Sequence, residues 1–428
     1  MNKRIALKTI GCKLNFAETS TISRKFQNRG FNIVDFNCKA DVYVINTCTV
    51  TANADKDCRK AVHQANRNNP DAFIAMVGCF SQLNLEESKS IPGVSTVLGN
   101  DEKYNVFEHY QDFQNNKGMF DYHGNFDRLD KFHSAYSRDE RTRTFLKVQD
   151  GCDYECTYCT IPLARGKSRS DNIKNTMQQA KEIDKTNTRE IVLTGVNTGD
   201  FGRGTNETFY DLIKELDKLE NIDRIRISSI EPNLLTTEII EFIAKSRLFV
   251  PHFHIPLQSG SNKILKDMRR RYQRELYAER VDRIKSVIPD CCIGVDVIVG
   301  FPTEIEKYFQ ETYDFLNSLD ISYLHVFSYS PRDNTIALDF KNIVTYAQRK
   351  ERSKILHELS DSKQKTFYNK FIGQERKVLF ETHVDGKIQG HTENYIKVIA
   401  AGTEELQNRI VTVKLIENEI DYLVGNIL

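Results

Sequence analysis

No apolar run in these 428 residues approaches the roughly 20 needed to span a bilayer, and the N-terminus MNKRIALKTIGC lacks the apolar core of a secretory signal. The expectation is a cytoplasmic protein with no membrane partner. Net charge is almost absent: 60 Lys and Arg against 59 Asp and Glu give +1, so bulk charge argues for neither a DNA nor an RNA partner. Tryptophan is missing, but 25 Phe and 18 Tyr within a 39% hydrophobic content are ordinary for a soluble protein. The length suffices for two or three domains, each with its own core. Ten cysteines in a long chain of a reducing compartment argue against a disulfide framework and for metal or redox chemistry.

The stretch 146–170, LKVQDGCDYECTYCTIPLARGKSRS, carries Cys152, Cys156 and Cys159 at C-x3-C-x2-C spacing. Three thiolates that close can hold three irons of a four-iron cubane, leaving the fourth iron open to a small ligand. S-adenosylmethionine (SAM) can chelate such an iron through its amino and carboxylate groups. The plainer alternatives are a zinc site short of a ligand, or three idle thiols. Zinc sites usually add a further Cys/His pair, and none lies close in sequence. Gly151 permits a tight approach to the loop, Tyr158 supplies an aromatic face beside the open iron, and Pro162 restricts the chain beyond Cys159. This stretch resembles the radical-SAM superfamily, and its KVQDGC, CTYC and ARGKSRS segments are similar to the methylthiotransferases within it. The resemblance extends over nearly the whole chain.

Upstream, strand-like RIALKTI, DVYVINTC and AFIAMVGC alternate with helical patterns over 15–29 and 55–68. The alternation predicts an α/β fold beginning with an open parallel sheet domain, residues 1–115. Cys12, Cys48 and Cys79 each fall at the C-terminal end of a predicted strand. Parallel strand ends share one edge of a sheet, so residues far apart in sequence can converge there as a second, auxiliary cluster site. Three buried core thiols are the alternative. Cys38, Cys58, Cys291 and Cys292 are expected to be structural.

Residues 116–137, rich in Asn, Asp and His, read as a linker. From 138 to 365, repeated strand–helix units predict a partial (β/α) barrel of the radical-SAM type, with chemistry at the strand C-termini. Candidate cofactor-binding residues there are Gly195, Asn197, Ser229, Glu231, Gln258, Ser259 and Gly300, together with Tyr158. A basic helix is expected over 262–274. Residues 366–428 form short strands between Gly, Asp and Asn turns, which predicts a small five-stranded antiparallel β-barrel. It resembles the TRAM domain of RNA-modifying enzymes. Seven Lys and Arg against nine Asp and Glu leave this tail at about −2, which weakens any grip on phosphates. Candidate RNA contacts are the basic clusters Arg138, Arg141 and Arg143; Arg165, Lys167 and Arg169; and Arg269, Arg270 and Arg271 with Arg274.

The family resemblance implies two [4Fe-4S] clusters. One, on Cys152, Cys156 and Cys159, would reduce SAM to a 5′-deoxyadenosyl radical; the other, on Cys12, Cys48 and Cys79, would carry sulfur that a second SAM methylates. It also implies an electron donor of the flavodoxin or ferredoxin type. GCKLNFAET and NTCTVTANAD look most like the branch acting on N6-threonylcarbamoyladenosine at position 37, in the anticodon stem-loop of ANN-decoding tRNA. Alternatives are isopentenyladenosine in tRNA, a ribosomal-protein aspartate favoured by the acidic tail, or a non-catalytic iron–sulfur electron carrier or RNA-binding module.

Overall fold

A computed structural model describes residues 3–115, 129–138 and 142–428. Residues 116–128, most of the expected linker, and Arg141 lie outside the described residues. The chain divides into two compact units that interleave in sequence. The first comprises Met1–Arg138, Phe145–Tyr154 and Cys159–Asp171; the second comprises Asp139–Thr144, Glu155–Tyr158 and Asn172–Leu428.

In the first unit, strands β1 (Arg4–Thr9), β2 (Asn32–Val34), β3 (Val42–Thr47), β4 (Phe73–Gly78) and β5 (Thr96–Leu98) form one sheet in the order β2-β1-β3-β4-β5. Every pairing is parallel. The sequences VYVINT and FIAMVG are buried at every position, as strands covered on both faces must be. Helix Lys13–Gln27 follows β1, and helix Ala52–Asn68 follows β3, its first turn capped by the Thr51 side chain accepting from the Ala54 N–H. Two apolar clusters flank the sheet, one centred on Tyr43, Ile45, Ile74 and Met76, the other on Ile5, Phe26, Val44 and Phe73.

β6 (Arg143–Lys147) precedes the cysteine loop. In the second unit, β7 (Glu190–Thr194) and β8 (Arg224–Ile227) pair in parallel, and β9 (His252–Gln258), β10 (Cys292–Val299) and β11 (Tyr323–Ser328) form a parallel sheet in the order β11-β10-β9. Parallel bridges Ile225↔Phe249 and Ser229↔His254 link β8 to the β9 region, giving the expected partial barrel. Helices lie between the strands, with capping boxes at Thr208–Asp211 and Thr345–Gln348.

The expected basic helix over 262–274 is shorter: it spans Asn262–Asp267, and Arg269 turns into the left-handed region at φ 56°. The long helix Tyr346–Asn369 runs past the expected start of the tail, whose strands begin at Glu375. There β12 (Glu375–Val384), β13 (Lys387–Thr392), β14 (Lys397–Ala401), β15 (Ile410–Asn418) and β16 (Leu423–Ile427) close a barrel in the order β12-β13-β14-β16-β15. Its pairings are antiparallel except β14 with β16, which is parallel because the chain crosses through β15 before returning. Val378, Phe380, Ile388, Val398, Val413 and Leu415 fill the barrel core.

Candidate iron–sulfur and SAM sites

In the first unit, Cys12 sits at the N-cap of helix Lys13–Gln27, Cys48 follows β3 directly, and Cys79 opens the short helix after β4. Parallel pairing of β1, β3 and β4 puts all three at one sheet edge. A Cβ added to Gly11, at φ 111°, would lie 2.7 Å from the Cβ and 3.0 Å from the Sγ of Cys48. A glycine is therefore needed where the chain brings Cys12 beside Cys48. Burial pushes the Cys48 thiol up to about 12, and the nearby Cys79 and Cys12 sulfurs add to the shift. Cys12 is exposed, and the Arg165 guanidinium lies near enough to its sulfur to favour the thiolate. The Asn100 side-chain amide donates to Cys79 Sγ at 3.6 Å. Thiols close enough for their thiolates to repel one another, beside an arginine and an amide donor, are a donor set that suits a thiolate-ligated cluster.

The second cysteine set spans eight residues. Gly151 adopts φ 70°, and the Lys167 carbonyl occupies the space a Cβ would need. The loop base is closed by Asp150 N–H to Arg169 O at 2.9 Å, the reciprocal bond at 2.8 Å, and Cys152 N–H to Gly166 O at 3.0 Å. In the first unit, Cys152 Sγ accepts from the Tyr154 N–H at 3.3 Å and Cys159 Sγ from the Ile161 N–H at 3.5 Å. In the second, Cys156 Sγ accepts from Arg270 Nη1 at 3.1 Å. N–H donors on sulfur stabilise thiolates and raise the potential of any cluster they ligate. Arg270→Met is expected to lower the midpoint potential of that cluster by about 60 mV, the one-electron equivalent of losing a hydrogen bond to charge of about 1.5 kcal/mol. An EPR-monitored redox titration measures it.

The candidate cofactor residues fall at or just beyond strand ends of the second unit. Tyr158 meets Phe301 edge-on, with ring centroids 6.3 Å apart. Gly195 follows β7, and Asn197 Oδ1 accepts from the Glu231 N–H at 3.3 Å. The Ser229 carbonyl accepts from the Thr198 N–H and hydroxyl. Glu231 is ion-paired to Arg270. Burial raises the Glu231 carboxyl and Arg270 opposes the rise. Gln258, the last residue of β9, has φ 67°. Ser259 is turned inward, its hydroxyl 3.1 Å from that of Thr312. Gly300 has φ 76°, its N–H donates to Glu304 at 2.8 Å, and the Arg349 side chain fills the place of a Cβ.

Two of the expected RNA-contact arginines have other work. Arg165 is 1% exposed and Arg270 has a side-chain exposure of 4%, so neither can present its charge to a phosphate. Arg143 pairs with Glu381 of the barrel, and Arg169 with Asp150. Of these clusters, Arg138, Lys167, Arg269 and Arg271 are exposed. Arg165 instead belongs to a buried network inside the first unit. Its guanidinium donates to Glu18 at 3.0 and 3.1 Å, to Asp150 at 2.8 Å and to Asn15 at 2.6 Å. Lys103 reaches Glu18 at 2.5 Å, and Lys147 reaches Glu18 at 3.0 Å and Asp150 at 2.7 Å. Burial disfavours the Glu18 carboxylate, yet Arg165, Lys103 and Lys147 together hold its pKa well below the usual range. Burial brings Lys103 down to about 8. Through this network the segment bearing Cys152 and Cys159 is tied to the helix that begins at Cys12.

His133 stacks on Tyr104 beside this network, and burial with the Lys147 and Lys103 charges depresses its pKa to about 4. The unfolded chain takes up this proton near 6.5 and the folded chain only near 4. Stability is therefore complete above pH 6.5 and declines as pH falls towards 4. The expected loss is about 1–2 kcal/mol, reduced by screening of a side chain that is 30% exposed. Urea midpoints at pH 7 and pH 5 should converge in His133→Gln relative to the parent.

Residues 146–316 match the model of the radical SAM superfamily, and residues 4–99 that of uncharacterized protein family UPF0004. The chain is 38% identical over 434 residues to "Threonylcarbamoyladenosine tRNA methylthiotransferase MtaB" of Bacillus subtilis, covering 98% of this chain and 95% of that protein. It is 39% identical to the Aquifex aeolicus protein of the same name, covering 91% and 98%. Among solved structures, the radical S-adenosylmethionine methyltransferase TsrM of Kitasatospora setae, with cobalamin and a [4Fe-4S] cluster bound, aligns with a TM-score of 0.57 at 12% identity. That alignment covers 79% of this chain and 78% of TsrM, and it speaks to fold alone. Among the described residues, no helix is long and apolar enough to cross a membrane.

Proposed function

The chain belongs to the family of threonylcarbamoyladenosine tRNA methylthiotransferases, and on that premise we propose that it converts N6-threonylcarbamoyladenosine at position 37 of ANN-decoding tRNA to its 2-methylthio derivative. The observation that carries this reading is a pair of three-cysteine sets, one at the strand ends of a parallel sheet and one in the loop after β6, in a chain whose full length follows those relatives. Residues 1–115 would hold an auxiliary [4Fe-4S] cluster on Cys12, Cys48 and Cys79. Residues 138–365 would hold the radical-SAM cluster on Cys152, Cys156 and Cys159, with 116–137 as the connecting segment and barrel 366–428 towards the RNA. SAM bound at the radical-SAM cluster would, on accepting an electron from it, supply radical chemistry, and a second SAM would supply the methyl group for sulfur at the other.

The chain's own residues have separate tasks. Arg270 donates to Cys156 and pairs with Glu231, which holds a carboxylate ready beside the loop. Asn197 fixes the backbone at Glu231. Arg165 and Asn100 place positive charge and an N–H donor against the auxiliary thiols, offsetting their crowding. C2 of the adenine must be presented unstacked, as an anticodon-loop base can be. A small electron-transfer protein of the flavodoxin or ferredoxin type would supply reducing equivalents.

The deciding experiment is mass spectrometry of nucleosides from tRNA of a strain lacking this gene and any paralogue. The 2-methylthio derivative of threonylcarbamoyladenosine should vanish while threonylcarbamoyladenosine accumulates. Persistence of the methylthio nucleoside would defeat the assignment.

A further inference from the structure

Among the described residues, one group of metal-ligating side chains stands apart from the cysteines: His254 on β9, Asp296 on β10 and His325 on β11. These are adjacent strands of one parallel sheet. Asp296 is in register with His325, and His254 with Gly294, two residues before Asp296. Strand residues two apart share a face, so all three side chains project from the same side. The alternating Ile255, Val295 and Val297 are fully buried on the other side.

One ligand atom from each of the three lies within 4.8 Å of the others. His254 Nε2 is 2.7 Å from Asp296 Oδ1, and the His254 and His325 rings are 5.2 Å apart. At the far edge of the His254 ring, Nδ1 lies 3.5 Å from Ser229 Oγ. A ligating imidazole ordinarily has its outer nitrogen held in this way by a hydrogen-bonding group. Gly294 adds no side chain opposite His254, and the Tyr323 hydroxyl, 3.1 Å from His252 Nε2, lies over that glycine.

We propose that His254, Asp296 and His325 bind one divalent first-row transition ion on the concave face of the partial barrel. Two imidazoles and a carboxylate grouped on one side leave coordination positions open on the other, an arrangement suited to Fe2+, Mn2+ or Zn2+. A His–Asp hydrogen bond alone would need neither a third donor nor an anchor for the outer nitrogen; the strand register supplies His325, and Ser229 supplies the anchor. His254 and Asp296 lie four residues before Gln258 and Gly300, roughly 13 Å along the strands, so the three ligands are not among the strand-end positions expected to hold SAM, whereas their anchor Ser229 is. The inference stands on side-chain placement and is independent of the tRNA substrate.

The test uses full-length protein with its clusters loaded, anaerobic and in the oxidised, diamagnetic state. Mn2+ is the probe, because a hard ion has little affinity for cluster thiolates. Loss of the free-ion EPR signal reports binding. One Mn2+ per chain is expected, with affinity reduced more than about tenfold in His325→Ala and in Asp296→Asn and about tenfold in Ser229→Ala. His357→Ala, on the exposed face of helix Tyr346–Asn369, should bind as the parent does. Iron and sulfide contents, measured alongside, should not change in any variant. Parent protein binding Mn2+ no better than the His325→Ala/Asp296→Asn double variant would overturn the proposal and leave a hydrogen-bonded imidazole–carboxylate pair.

Discussion

Cys48→Ala is expected to leave 5′-deoxyadenosine formation measurable while the methylthiolated nucleoside disappears, whereas Cys156→Ala should abolish both. The asymmetry follows from position. Cys48 follows β3 in the first unit, near Cys12 and Cys79, whereas Cys152, Cys156 and Cys159 belong to the loop after β6. Cys156 lies in that loop and receives the Arg270 hydrogen bond. Each loss should exceed about 100-fold, beyond the 10–100-fold typical of removing only a group that supports a metal ligand. Reconstituted enzyme with dithionite and SAM, assayed by liquid chromatography for both products, measures the two rates. Normal methylthiolation by Cys48→Ala would eliminate the auxiliary site from the reaction. An anaerobic count of about eight irons per chain is the companion measurement, since two cubanes require it.

The second large effect is on stability. Glu18 is completely buried and accepts from Arg165, Lys103 and Lys147. Glu18→Ala leaves three cations in a low-dielectric interior with Asp150 as the remaining carboxylate near them. Breaking a buried pair in this way costs about 3–5 kcal/mol, far more than an exposed pair such as Arg29–Glu108 contributes. Urea denaturation followed by far-UV circular dichroism should show the earliest transition moving to lower denaturant by that amount. A change within 1 kcal/mol of the parent would mean that the network is not held as described.

Strand ends are legible in the sequence and the buried charges are not. Cys12, Cys48 and Cys79 could be placed because each ends an apolar run whose neighbours alternate with helices, and parallel pairing then does the converging. Gly151 could likewise be assigned a turn. The partnership of Glu18 with Arg165, 147 residues apart, leaves no periodic trace, so Arg165 looked like one of a cluster of surface cations. The burial of Arg270 is hidden for a related reason. The basic run 262–274 predicts one helix, but the helix ends at Asp267 and the turn at Arg269 directs the next arginine inward. The parallel β14–β16 pair leaves no signal either, since turn residues mark where strands end and not which strands become neighbours. His254, Asp296 and His325 sit in three separate strands, and only the register makes them a group.

The interleaving of the two units has a consequence for how this protein can be taken apart. A gene fragment ending at residue 138 would retain the Glu18–Lys103 pair but omit Lys147, Asp150 and Arg165, and so would strip that pair of the other three charged members of its network. The N-terminal sheet is therefore not a detachable module, and dissection by limited proteolysis or split expression should yield insoluble halves unless residues 145–171 travel with it.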